Sequence, residues 1–226
     1  MVAMHITSVQ VSVLDPAATA RFFRDVLDLA VETVDDTPHV RIGTSTLILG
    51  RRDAPAEGYY HLAFDIPENH IVAARDLLRS RIDILPGGTD GVITGPESWN
   101  SHSVYFNAPG DLNLELIARH RRPTAAATPF SFADIFHISE VGIPVDDTIS
   151  AVNDLQSTFG IEPFGHPSAM FAPMGTDDGL IILVRTGRIW LPTEDQAALP
   201  LPLLVEARGL DGTLSPHPNC TITGTA

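Results

Sequence analysis

The feature that most limits what this chain can fold into is a unit that returns along its length: an alternating strand, a capped amphipathic helix, then further short strands. Ser8 to Val13 alternate small polar residues with Val, the period of a half-buried strand. Asp15-Pro16 follows, an N-cap with proline in the first turn. Phe22, Phe23, Val26 and Leu27 then lie at helical spacing, and short strands are predicted near His39–Gly43 and Thr46–Leu49. The pattern returns at His61–Ile66, where Pro67 opens a helix with Ile71, Ala74, Leu77 and Leu78 on its buried face. Strands near Gly91–Thr94, Ser103–Phe106 and Leu112–Ile117 complete this second copy. Arg119 to Thr128, rich in Arg, Pro, Thr and Ala, reads as a linker. A third copy begins at Glu140–Val145, with Asp146 or Asp147 capping a helix whose core face is Ile149, Val152, Leu155 and Phe159. Leu180–Val184 and Leu201–Val205 read as strands, and the tail after Gly209 as loosely ordered.

These readings predict an α+β chain of repeated βαβββ units, at residues 1–56, 57–119 and 135–210, with a linker at 120–134 and a tail at 211–226. One such unit leaves a face of its sheet uncovered. Copies should therefore pair as curved mixed sheets around a cleft, units two and three facing each other and unit one packed elsewhere or pairing across a dimer.

Composition narrows the function. A formal charge of −14 over 226 residues argues against nucleic acid, which demands clustered Lys and Arg. No apolar stretch approaches the roughly 20 residues of a membrane helix, and the N-terminal residues lack the pattern of a signal peptide. The single cysteine, Cys220, fits a reducing compartment, so a cytoplasmic location is expected.

Strand alternation then selects the residues that can face the cleft. If Leu62, Phe64 and Ile66 meet the helix, His61, Ala63 and Asp65 point the other way. Leu114 and Leu116 in the core put Glu115 on the cleft face, and Val141, Ile143 and Val145 do the same for Glu140. Carboxylates on an apolar concave face are costly unless paired or metal-bound. One imidazole and two carboxylates form a hard donor set that suits Mn(II) or Fe(II) more than a thiolate-loving metal. His61, Glu115 and Glu140 are therefore the candidate metal ligands. The matching places in unit one are Ser8 and Ile48, which supply none, and His5 has the wrong parity.

Other candidates carry less. Tyr105 and Ser103 share the cleft parity of their strand, Tyr105 as a hydrogen-bond donor to a bound oxygen and Ser103 as a substrate contact. His102, in a loop beside Trp99, is a candidate acid or base, its ordinary pKa being near about 6.5. His39 and Arg41 are candidate substrate contacts if they face the concave side of unit one; a plain surface strand is the alternative. Asp65 is better placed to cap a helix near Pro67. Arg188 and Trp190 either stack on a planar ligand or pack a turn, and packing is the preferred reading.

At these residues the chain resembles the vicinal-oxygen-chelate superfamily of glyoxalases, extradiol dioxygenases and bleomycin- and fosfomycin-resistance proteins. Val104–Ile117, Val-Tyr-Phe-Asn-Ala-Pro-Gly-Asp-Leu-Asn-Leu-Glu-Leu-Ile, is similar to that superfamily's closing hairpin. Within it the chain most resembles the toxoflavin lyases, through Tyr60-His61-Leu-Ala, Asn69-His70, Asn100, Ser103, Tyr105, Pro109, Glu115, Pro129-Phe130-Ser131, Glu140 and Gly187-Arg188 with Trp190. Those enzymes use Mn(II) and dioxygen to break down an azapteridine, and their one-His, two-carboxylate set maps onto His61, Glu115 and Glu140. Unit one and residues 85–99, which should line much of the substrate pocket, resemble them only weakly, and His102 stands where they carry an aromatic.

The resemblance implies a metal-dependent oxygenase or lyase acting on a small planar heteroaromatic, as a monomer or homodimer, with dioxygen as co-substrate. Extradiol cleavage or glyoxalase-type isomerisation is the alternative chemistry, although iron extradiol sites generally show two His and one carboxylate. A metal-free protein that sequesters a drug or toxin is the alternative without chemistry.

Overall fold

The computed structural model describes residues 3–225. Its elements run β1 (His5–Val13), α1 (Pro16–Val26), β2 (Val31–Val34), β3 (Thr37–Ile42), β4 (Ser45–Arg51), β5 (Tyr60–Ile66), α2 (Ile71–Arg79), β6 (Ile93–Thr94), β7 (Ser101–Ala108) and β8 (Leu112–Arg119). After a single 3-10 turn at Phe132–Asp134 come β9 (His137–Val145), α3 (Thr148–Phe159), β10 (Phe171–Thr176), β11 (Gly179–Arg185), β12 (Leu203–Arg208), β13 (Thr213–His217) and β14 (Cys220–Thr225).

Two seven-stranded mixed sheets result. One has the order β13-β14-β12-β1-β4-β3-β2, the other β10-β11-β9-β5-β8-β7-β6. Units two and three thus share one sheet, joined through the antiparallel pair β5 and β9. Unit one pairs within the same chain instead, β1 running antiparallel to β12. The segment after Gly209, expected to be loosely ordered, forms the strands that complete this sheet, with Cys220 and Ile222 buried. With β12, expected in unit three but joined to the first sheet, it is in effect a fourth unit without a helix. No helical period announces it, and the turns around Gly209, Gly212 and Pro218 disguise its short strands.

Local chemistry accounts for the helices. Asp15 accepts a hydrogen bond from the Ala18 amide and Pro16 sits in the first turn of α1, which buries Phe23 and Leu27. In α3 the cap is Asp147, accepting from Ile149 and Ser150, and Gly160 ends the helix at φ +67°. Ile149, expected on the core face, is 44% exposed, because the buried stripe runs through Thr148, Ala151, Val152, Leu155 and Phe159 and leaves it to one side. The helix expected at Pro67 starts at Ile71, after a tight turn in which the His70 amide donates to the Pro67 carbonyl.

One apolar core joins the helix-covered faces of both sheets, running from Val9, Val11 and Phe23 to Leu62, Phe64 and Phe106. The sheets meet where β1 and β9 each carry a bulge, between Ile6 and Ser8 and between Ala63's partner Glu140 and Ile138. Buried Ser45 joins them there, donating to the Ile6 carbonyl at 2.6 Å and accepting from the Ile138 amide at 3.0 Å. The opposite face of the second sheet carries a separate apolar cluster of Leu180, Ile182, Val184, Trp190 and Ala198, partly covered by Trp99 and Phe171.

Candidate metal centre

That second face holds the site. Ala63 sits mid-strand on β5 with Glu115 of β8 opposite it on one side and Glu140 of β9 on the other. His61 lies two residues earlier on the same face. The alanine methyl leaves the space between the carboxylates open. Donor atoms of His61, Glu115 and Glu140 lie within 4.8 Å of one another, and all three residues are buried. His61 Nε2 is 3.5 Å from Glu115 Oε2.

The surroundings orient these groups. His61 Nδ1 lies 3.1 Å from Asn113 Oδ1, and the Asn113 amide donates to Gln196 Oε1 at 2.8 Å. With Nδ1–H donating to Asn113, Nε2 keeps its lone pair toward the carboxylates. The imidazole stacks on Trp190, centroids 5.1 Å apart, and the indole N–H is held by the Tyr59 carbonyl at 2.8 Å. Gly142 makes room for that indole, because a Cβ there would stand 2.5 Å from the ring. On the other side Arg119, 1% exposed, donates to Glu140 and faces Asp65 and Asp177 at 3.9 and 3.6 Å.

Burial sets the charge states. It pushes the Glu115 carboxyl up to about 8, with Glu140 adding to the effect, and holds the His61 imidazole below its usual range. Burial, then the neighbouring carboxylates, keep the Tyr105 phenol well above its ordinary value, so it is a proton-bearing donor beside Glu115. Two carboxylates and a neutral imidazole converge with one buried arginine behind them. The residues fit a divalent cation, which would supply the missing positive charge and hold Glu115 ionised.

The register also identifies a fourth place around this centre. Glu115 stands opposite the residue two after His61, and the equivalent place in unit three stands opposite the residue two after Glu140. That residue is Ile182, opposite Gly142. An apolar side chain there leaves a set of three protein donors. In the first sheet the corresponding places are Leu204, Thr223 and Ser8, around Glu206, with Ile48 matching Ile182. No equivalent donor set exists there.

A cavity of about 310 Å³ opens over the centre, walled by Trp99, Phe171, Trp190 and Ile182, with Ser103, Tyr105 and Arg188 among its polar groups. Residues 93–96 and Trp99 form its rim, in line with the expectation for residues 85–99. Among the described residues unit one contributes nothing to it, and His39 and Arg41 lie on β3 in the other sheet, with Arg41 facing Glu32 at 3.9 Å. The expectation that they contact substrate is corrected, because alternation assigns a face of a strand and not the sheet to which the strand belongs.

His102 is corrected too. It belongs to β7 and not to a loop, and its parity is opposite to that of Ser103 and Tyr105. It bonds His120 at 2.7 Å on the helix side, away from the cavity. Asp65 caps no helix; it is buried, accepts from Arg122 at 3.2 Å, and is pushed up to about 7 by burial against the pull of Arg119 and Arg122. Trp190 is buried against His61 and, like Arg188, lines the cavity, so neither only packs a turn. Arg119 and Asn113 were missed, although both continue the parity of Glu115 along β8.

Fold and donor set together define a glyoxalase/dioxygenase-fold protein with a buried His-Glu-Glu centre able to hold a metal. Among solved structures, a candidate dioxygenase from Bacillus subtilis subsp. subtilis str. 168 matches with a TM-score of 0.60, over 91% of this chain and 70% of its own, at 16% identity. A glyoxalase I mutant from Zea mays matches with a TM-score of 0.55, over 91% of this chain and 75% of its own, at 14% identity. At such identities the likeness is one of fold. No protein-family model and no curated protein sequence matches the chain. Among the described residues no helix is long and apolar enough to cross a membrane.

Proposed function

We propose that this chain is a divalent-metal-dependent enzyme that converts a small, planar, heteroatom-rich substrate as an oxygenase or lyase. One observation carries the reading: three buried donors converge at the base of an aromatic-walled cavity, while Ile182 occupies the fourth place around them. His61, Glu115 and Glu140 would hold Mn(II), or Fe(II) as second choice. The bound cation supplies Lewis acidity and open positions for vicinal heteroatoms of a substrate, with dioxygen as co-substrate.

The chain's own residues do the rest. Trp99, Phe171 and Trp190 favour a flat aromatic ligand and exclude water. Tyr105 keeps its proton and offers it, as a hydrogen bond, to an oxygen bound beside Glu115. Asn113 fixes the imidazole tautomer, and Arg119 restrains one oxygen of Glu140. The single histidine of the set argues against extradiol cleavage, since His39 and His102 lie elsewhere.

A toxoflavin-like azapteridine is the first substrate to try, on the resemblance carried by Tyr60-His61-Leu-Ala, Asn69-His70 and Gly187-Arg188 with Trp190, and on the ligand set His61, Glu115 and Glu140. With Mn(II) or Fe(II), reductant and air, ultraviolet spectra of a panel of fused heteroaromatics should show consumption of at least one. A panel member that binds tightly and is recovered unchanged would favour a sequestering protein instead.

A further inference from the structure

Arg188 has no role in the site as described so far. It lines the cavity, half-buried, with its guanidinium 5.2 Å above the Phe171 ring, and among the described residues it makes no salt bridge. The other arginines nearby are matched. Arg119, Arg121 and Arg122 face Asp65, Asp177 and Asp178 behind and beside the centre. Around the cavity itself the acids are Glu115 and Glu140, and the one strong base is Arg188.

A divalent cation held by His61, Glu115 and Glu140 would neutralise the two carboxylates. Arg188 then leaves the loaded cavity with a net positive charge, in a chain whose overall charge is −14. Such a cation against an aromatic wall loses hydration when a ligand enters, and only an anionic group restores what it loses. Seated over Phe171, the guanidinium makes no side-chain hydrogen bond or salt bridge among the described residues, so its N–H groups are free for a ligand.

We infer that Arg188 is the residue that selects substrate by charge: the substrate is a planar anion that meets the metal with one edge and presents a carboxylate or comparable oxyanion to Arg188 with another. This rests on the proposed metal-chelating function.

The test uses binding, without turnover. Mn(II)-loaded protein is titrated anaerobically with 3,4-dihydroxybenzoate and 2,3-dihydroxybenzoate, and with their uncharged amides, following quenching of tryptophan fluorescence. At least one acid is expected to bind about tenfold or more tightly than its amide, as a partly buried charge-assisted contact warrants. Arg188→Gln should reduce that advantage to less than about threefold while leaving amide affinity within about twofold, and Arg188→Lys should restore part of it. Acids and amides that bind alike, or a preference that survives in Arg188→Gln, would overturn the inference and leave metal chelation standing. If neither acids nor amides bind the loaded protein, the functional reading falls and the inference with it.

Discussion

His61 Nδ1 and Asn113 Oδ1 lie 3.1 Å apart on adjacent parallel strands, and this contact decides which nitrogen of the imidazole faces Glu115 and Glu140. Asn113 is itself held by Gln196, so the orientation is fixed two residues deep. Asn113→Ala is expected to leave the fold intact and to weaken Mn(II) binding by about 10- to 100-fold, the usual cost of losing a group that orients a ligand. Calorimetric titration with Mn(II) checks it.

Arg119 carries a structural load as well as a functional one. It lies fully buried against Glu140, so Arg119→Met strands that carboxylate, while Asp65 keeps Arg122 at 3.2 Å. A loss of about 3–5 kcal/mol is expected in the metal-free protein, measured by urea denaturation. Mn(II) should recover part of that loss by neutralising Glu140. A variant as stable as wild type would show that the arginine is not the counter-charge of this centre.

The raised Glu115 gives a pH signature. A carboxyl titrating near 8 when folded and near its ordinary value when unfolded binds more protons in the native state between those limits. Stability of the metal-free protein should therefore fall as pH rises through that window. Asp65, pushed up to about 7, acts in the same direction. His137, depressed to about 4 by burial, acts oppositely between about 4 and 6.5, so the fall is clearest above pH about 6.5. Metal-free Glu115→Gln, which cannot ionise at this position, should melt higher than metal-free wild type at pH 8. Saturating Mn(II) should reverse that order.

Most of the centre was legible because sheet parity is a local property. Leu62, Phe64, Leu114, Leu116, Val141 and Ile143 fix the core faces, and the ligands follow by alternation. The β9 bulge did not disturb this, since it falls on the far side of Glu140 from Val141. The same rule placed Tyr105 and Ser103. It failed where long-range pairing decides: His39 and Arg41 are alternating residues in the wrong sheet, and His102 was read outside its strand because β7 begins at Ser101. Arg119 was lost to a linker by composition, although it shares Glu115's parity.

The C-terminal strands offer a separate check on the fold. Ile222 is fully buried on β14, beside Val205 of β12. Ile222→Ala should cost about 2–5 kcal/mol if the strand closes the first sheet as described. A change within about ±0.5 kcal/mol would mark the segment as a loose tail.

We propose that units two and three hold one metal ion between them, with Glu140 the one ligand that unit three supplies. Metal content of Glu140→Gln, purified without chelators and loaded with Mn(II) alongside wild type, tests this most directly. The variant keeps the size of the side chain and removes the anionic oxygen that Mn(II) prefers. It is expected to fold and to lose most of its bound metal, as His61→Ala should also. Glu140→Gln holding Mn(II) at wild-type stoichiometry and affinity would contradict the claim.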